Sequence, residues 1–378
     1  MPWDVNPYVP GQPASPELFA GRSELIQKAE DAMEEATKIR RSSAILLHGY
    51  RGSGKTSAIR KIQSLARMRS ERCLISELQL RAHSSEDQLL ASIVADLKRQ
   101  VESRGGVAGR LKSWLERVNS VSLGGIGIGL APKGAANSGH GLMLWRSLVD
   151  ALEEVAFLVV CIDDAELLDS TGIGALKTIA ESHSPTPIIL VVAGGVELSD
   201  RLAQKDASPI ARIFSGSRYD IGEFSESETR TALEAPVVKM GGTARWTSDG
   251  VREVQSLSHG YPYLVQCVAS ASYTEGRPLD ANRVRQSVEG ALKVASSWLE
   301  KECADASDED IRAFAKIAGT HRTELRSSEI ISLGIQSPYI GRLVRQKILK
   351  KISRGHYELR KAPVIAYYHA LQRKLVVS

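Results

Sequence analysis

The stretch Gly49-Tyr50-Arg51-Gly52-Ser53-Gly54-Lys55-Thr56 constrains this chain more than any other. It fits the pattern G-x-x-x-x-G-K-[ST] at every fixed position. Ahead of it, Ala44-Ile45-Leu46-Leu47-His48 is an apolar run of strand length. Behind it, Ser57 to Ala66 carries apolar residues at helical spacing. A buried strand therefore feeds a loop that opens a helix. Glycines let such a loop curl with its N–H groups inward, and the helix N-terminus adds partial positive charge, so the loop is built to cradle phosphate. Gly49, Arg51, Gly52, Ser53, Gly54 and Ser57 belong to the cradle. Lys55 reaches the β- and γ-phosphates of a nucleotide, and the Thr56 hydroxyl is a ligand for Mg²⁺.

A chain of 378 residues exceeds one ordinary core, so two or three domains are expected. With 43% hydrophobic and 25% charged residues, the composition is that of a globular protein. Cys73, Cys161, Cys267 and Cys303 lack the paired spacing of a metal site and read as buried free thiols. No apolar run has the length of a membrane span, and residues 1–16 lack the apolar segment of a signal peptide. The expected location is the cytoplasm, with no membrane partner.

Residues 1–17 are rich in proline and read as an extended arm. From residue 18 to 224, apolar strands alternate with helices. The strands are the run before the loop, Arg72–Leu80, Phe157–Ile162, Pro187–Val192 and Arg218–Gly222. That alternation predicts an α/β fold with a parallel sheet covered on both faces, and a nucleotide at the carboxyl ends of its strands. Residues 105–140 interrupt it with a glycine-rich insertion, in which Val121 to Leu130 reads as a hairpin or flap. Ser225-Glu226-Ser227-Glu228 is a capping box that opens an all-helical segment, 225–304. Residues 305–378 predict three helices, the third capped by Ser337 with Pro338 at its first position. Two strands follow around Arg354-Gly355, giving a winged-helix layout.

A nucleotide site also needs a carboxylate at the end of a neighbouring strand. Asp163 ends the most apolar strand and is the expected second Mg²⁺ ligand. Asp164 follows at the position that orients the attacking water, with Glu166 in reserve. An arginine must meet the charge developing on the γ-phosphoryl group, and Arg212 is the first candidate, ahead of Arg218.

These features together resemble the AAA+ class of P-loop ATPases, and within it the branch of STAND-type and Orc/Cdc6-like ATPases. The residues that carry the resemblance are Phe19-Ala20-Gly21-Arg22-Ser23-Glu24, the loop 49–56, Asp163-Asp164 and Gly260-Tyr261-Pro262. It implies ATP or ADP with Mg²⁺ as cofactors, a helical lid over the base, and Phe19, Arg22 and Pro262 framing the adenine. Two departures imply slow hydrolysis. The second acid is Asp164 where the family usually has glutamate, and Val192-Ala193-Gly194-Gly195 lacks a polar sensor.

The segment 307–378 carries about 14 Lys and Arg against about 6 Asp and Glu, while the rest of the chain is slightly acidic. Arg342, Arg345 and Lys347 on the third helix, with Lys350, Lys351 and Arg354 on the wing, are candidate contacts for duplex DNA. The same face is open to a protein partner. The expected function is a regulatory ATPase whose nucleotide state passes through the winged helix to DNA or a protein. The alternatives are an ADP-holding binding module without turnover, and a STAND-type signalling or defence scaffold that forms homo-oligomers on ATP.

Overall fold

A computed structural model describes residues 6–103, 111–116, 139–204 and 208–375. The expected flap at 121–130 lies outside the described residues, as does most of the insertion around it. The chain forms two compact units. One is Pro13–Ile221, and the other joins the residues up to Gln12 with those from Gly222 onward.

The first unit is built on five strands: β1 (Ser43–His48), β2 (Leu74–Gln79), β3 (Leu158–Asp163), β4 (Ile188–Gly194) and β5 (Arg218–Asp220). Their order is β2-β3-β4-β1-β5, and every pairing is parallel. The fold class expected from the alternation is the one observed. β3 and β4 are buried along their whole length, which is why they read as unbroken apolar runs. Successive residues still part to opposite faces. Ala44 and Leu46 join a core with α3 (Glu86–Ser103), α4 (His140–Ala151) and α5 (Ser170–Ala180). Ile45 and Leu47 join a second core with α1 (Ser23–Ile39) and α2 (Lys55–Arg69). Two short helices, α6 (Val196–Leu202) and α7 (Ser208–Ile213), follow β4.

The second unit opens with α8 (Glu226–Lys239). Its capping box is made as expected: the Ser225 hydroxyl accepts from Glu228 N at 3.2 Å, and the Glu228 carboxylate accepts from Ser225 N at 2.8 Å. The segment is not all helical. β6 (Arg245–Trp246) pairs with β7 (Pro278–Leu279), two residues each and too short to show an alternating pattern. Between and after them run α9 (Ser248–Ser258), α10 (Pro262–Ser272), α11 (Ala281–Gln286) and α12 (Val288–Glu302). Gly260 precedes α10 because backbone fills the space beside it: a Cβ there would lie 2.2 Å from the Phe224 carbonyl oxygen.

The C-terminal segment comprises α13 (Asp308–Ala318), β8 (Glu324–Arg326), α14 (Ser327–Ser332), α15 (Ser337–Arg345), β9 (Leu349–Ser353), β10 (His356–Leu359) and α16 (Pro363–Gln372). The sequence reading lacked β8 and α16. The strands form an antiparallel sheet in the order β8-β10-β9. The cap of α15 is Gln336 rather than Ser337, and it makes no side-chain capping bond. α16 fastens this segment to α12: His369 Nε2 lies 2.8 Å from Leu299 O, and Lys361 pairs with Glu302 at 3.2 Å. No helix among the described residues is long and apolar enough to cross a membrane.

The N-terminal arm is not simply extended. Tyr8 is 3% exposed, edge-on to the rings of Trp246 and Tyr273. Its hydroxyl donates to Leu233 O at 2.5 Å and accepts from Trp246 Nε1 at 2.6 Å. Burial pushes its pKa well above the usual phenol range. Tyr8→Phe removes the hydroxyl and strands a buried carbonyl and indole N–H, which costs about 1–3 kcal/mol. The urea midpoint of this unit is expected to fall with the slope unchanged. An unmoved midpoint would show that the arm does not stabilise the unit.

His369 gives a second prediction. Burial pushes its pKa down to about 4. Its Nδ1 has no hydrogen-bond partner among the described residues, so a proton there meets no acceptor. The unfolded chain therefore binds more protons than the folded one between about pH 4 and about 6.5, and stability rises with pH across that window. Acidification through it is expected to cost at most about 3 kcal/mol. His369→Gln should flatten the dependence, measured by urea midpoints at about pH 7 and about pH 4.5.

Candidate functional site

The loop after β1 is fixed by backbone packing before any ligand chemistry begins. Ile221 N donates to His48 O at 2.7 Å, which holds the strand end. At Gly49 a Cβ would lie 2.5 Å from the Ile221 carbonyl oxygen, so no other residue fits. Helix α2 starts at Lys55, and Ala58 N makes the first bond back into the loop, to Gly54 O at 3.0 Å. The amides of residues 55–57 have no intrahelical acceptor, and they lie at the positive end of the helix dipole.

Three side chains arm this cradle. Lys55 Nζ donates to the carbonyl oxygens of Gly49 at 2.9 Å and Tyr50 at 3.0 Å. Burial lowers its pKa, opposed by the carboxylates of Glu166, Asp163, Asp164 and Glu197. Ser53 is 2% exposed, and its Oγ has no hydrogen-bond partner among the described residues. A buried polar atom without a partner beside the phosphate-loop backbone fits a ligand oxygen. The Ser57 hydroxyl is turned elsewhere, accepting from Ala14 N at 3.0 Å. Thr56 Oγ1 donates to Asp163 Oδ2 at 2.5 Å.

Asp163 is 4% exposed at the end of β3, and its other oxygen accepts from Asp164 N at 3.0 Å. Burial raises its pKa, the Thr56 hydrogen bond opposes the rise, and the Asp164 charge adds to it. Among the described residues no three His, Cys, Asp or Glu side chains form a self-sufficient metal cage. A hydroxyl beside one buried carboxylate is instead the donor set of Mg²⁺, which takes one or two protein oxygens and completes its shell with water and phosphate.

The two acids after Asp163 diverge. Asp164 sits at φ 55, and its Oδ2 accepts from Gln79 Nε2 at 3.1 Å, at the end of β2. Glu166 Oε2 accepts from Gly195 N at 2.9 Å, beyond the end of β4. Neither Gln79 nor Glu197 stood out in the sequence; their only signal is position, at a strand end and just after Gly194-Gly195.

The remaining candidates are dispersed. Phe19 is half-buried against the core beneath α1 and α2, and Arg22 caps α1 at φ 61. Arg212 is exposed in the last turn of α7, while Arg218 donates to Ala211 O at 3.0 Å. Pro262 belongs to the second unit, where it heads α10; Tyr261 before it stacks on Trp298 with ring centroids 5.8 Å apart. Of the basic residues in that unit, Arg345, Lys347, Lys351 and Arg354 are exposed and Lys350 is half-buried. Arg342 is partly exposed, its Nε 2.9 Å from Oδ1 of the fully buried Asp310. Asp310 also accepts from Ser307 N, Ser307 Oγ and Gln346 Nε2, at 2.7–2.8 Å. Arg342 is thus tied to Asp310 through its Nε while its side chain stays exposed at the surface.

Residues 18–192 match the AAA ATPase domain family. No curated protein matches the chain in sequence. Among solved structures, a Walker-type ATPase of Pyrococcus abyssi superposes with a TM-score of 0.57 at 17% identity, over 97% of this chain and 99% of that one. Cdc6p from Pyrobaculum aerophilum (TM-score 0.47, 11% identity, 97% and 95% covered) and ORC2 of Aeropyrum pernix (0.47, 15%, 98% and 98%) are also similar. At these identities the likeness concerns the fold. The family match covers the cradle and its partner carboxylate alike, and residues 18–192 are therefore a domain of the AAA ATPase family.

Proposed function

We propose that this chain is a regulatory ATPase: it binds ATP with Mg²⁺, hydrolyses it slowly, and passes its nucleotide state to another molecule. The observation that carries the reading is the 2.5 Å bond from Thr56 to Asp163. It joins the two groups that would hold Mg²⁺ beside the loop that precedes α2. Mg²⁺, when bound, neutralises the charge on the β- and γ-phosphates. Lys55 adds the fixed cation, and the first amides of α2 orient the phosphate oxygens. Slow turnover follows from the arginines. Arg218 is spent on a carbonyl, and Arg212 is exposed, in a position to serve a second copy of the chain.

The receiving end is the C-terminal segment, which we read as a winged helix. Three helices and the β9–β10 hairpin support that reading, and the exposed Arg345, Lys347, Lys351 and Arg354 favour the phosphates of duplex DNA over an acidic protein. Because these charges are spread over the helix end and the wing, contact is mainly to the backbone of the duplex rather than to base edges.

Lys55→Ala is expected to weaken ATP binding at least tenfold, about 1.4 kcal/mol or more, in a titration with a fluorescent ATP analogue. Asp163→Ala should remove the Mg²⁺ dependence of binding and hydrolysis together. ATP affinity unchanged in Lys55→Ala would overturn the site. Binding without turnover in the parent chain would favour a nucleotide-holding module. For the C-terminal segment, the full chain is titrated with duplex DNA at several salt concentrations. Lys351→Ala with Arg354→Ala should reduce the slope of log K against log salt by about 2, each phosphate contact contributing about 0.9. No binding at low salt would leave a protein partner as the receiver.

A further inference from the structure

Resting on the ATPase reading above, we infer that Glu166, not Asp164, is the carboxylate that faces the attacking water in this chain. The argument is the order of the strands. The phosphate loop follows β1, and β4 lies between β1 and β3. An acid after β3 can turn to either side. Asp164 turns to β2, away from the loop, and its Oδ2 is engaged by Gln79 at 3.1 Å. Glu166 turns to β4, the neighbour of β1, where its Oε2 holds the amide of Gly195 at 2.9 Å. Gly194 is directly paired with His48, the last residue before the loop.

Glu166 lies against this strand end: a Cβ on Gly194 would meet Leu198 first, at 2.5 Å, and Glu166 Oε2 at 3.2 Å, while one on Gly195 would meet Glu197 Oε2 at 2.8 Å and Glu166 Oε1 at 3.5 Å. The strand end has no polar side chain of its own, and the Glu166 carboxylate packs beside it. The turn carrying Glu166 is held as well: Arg201 of α6 donates to the carbonyl oxygens of Glu166, at 3.2 Å, and Leu168. Among the carboxylates that resist the loss of the Lys55 proton, Glu166 acts most strongly. In the step it would serve, the water oxygen bonds the γ-phosphorus as the bond to the β–γ bridging oxygen breaks. The water proton passes to the carboxylate and then to solvent, leaving ADP and inorganic phosphate.

The test compares Glu166→Gln with Asp164→Asn in the full chain. Glu166→Gln keeps the shape and an acceptor for Gly195 N, so ATP affinity should stay within about threefold and the melting temperature should not move. Its single-turnover hydrolysis should fall by about 10²-fold or more, the usual scale for a lost general base. Asp164→Asn should lose less. A purely structural Glu166 would lower melting temperature and affinity along with the rate. If Glu166→Gln folds poorly, Glu166→Asp serves in its place: it keeps the charge, withdraws it by one methylene, and should lose turnover with binding retained. Turnover near that of the parent in the Glu166 variants, or the larger loss in Asp164→Asn, would overturn this assignment alone. A parent that neither binds nor hydrolyses ATP would overturn the ATPase reading itself, and this inference with it.

Discussion

A carboxylate buried at the end of an apolar strand is the constraint on which the site depends. Ionised Asp163 in that setting costs several kcal/mol unless it is fully hydrogen-bonded. Its partners come from two directions: the Thr56 hydroxyl from α2, and the amide of Asp164 from its own turn. The first of these spans the sheet, because α2 follows β1 and β3 is separated from β1 by β4. The loop and the acid are therefore in register only if β4 is packed correctly between them. That gives the unbroken apolar run of β4 a functional consequence as well as a structural one. The raised pKa of Asp163 carries the same message in another form: above both its folded and unfolded values, the charged group lowers stability.

Lys55 shows the complementary balance. A buried ammonium is also unfavourable, and burial lowers its pKa; the surrounding carboxylates oppose that shift, and the loop carbonyls of Gly49 and Tyr50 accept from its Nζ. The site thus holds a cation and several anions in one partly dry volume before any nucleotide arrives. Such preorganised charge acts with less reorganisation than the same groups would need in water.

How much of this was legible in the sequence depends on the range of the interaction. The phosphate loop, the strand ending in Asp163 and the Ser225 capping box are local patterns, and all are formed as read. What the sequence hid is non-local. Tyr8 lies in a proline-rich arm, and its burial depends on Trp246 and Leu233, more than two hundred residues away. β6 and β7 are strands only because they find each other. The pairing of Arg342 with Asp310 was hidden because Asp310 lies on another helix. The divergence of Asp164 and Glu166 required the strand order, which adjacency in sequence does not supply. Ser337 before Pro338 looked like a cap, but the helix begins one residue earlier than the proline suggests.

The second unit also changes what a moving lid would mean. The helical segment and the basic C-terminal segment are fastened by two contacts of α16 and its N-terminal flank: His369 meets the Leu299 carbonyl and Lys361 pairs with Glu302. Arg373 donates to Ala306 O at 2.8 Å and pairs with Asp308 at 3.0 Å within the C-terminal segment. The two contacts to the helical segment involve side chains with little exposure, where screening by salt is weak. A displacement of α10 with its Gly260-Tyr261-Pro262 entrance therefore cannot be absorbed by a loose joint before the C-terminal segment. It carries α15, β9 and β10, with Arg345, Lys347, Lys351 and Arg354, as part of the same body.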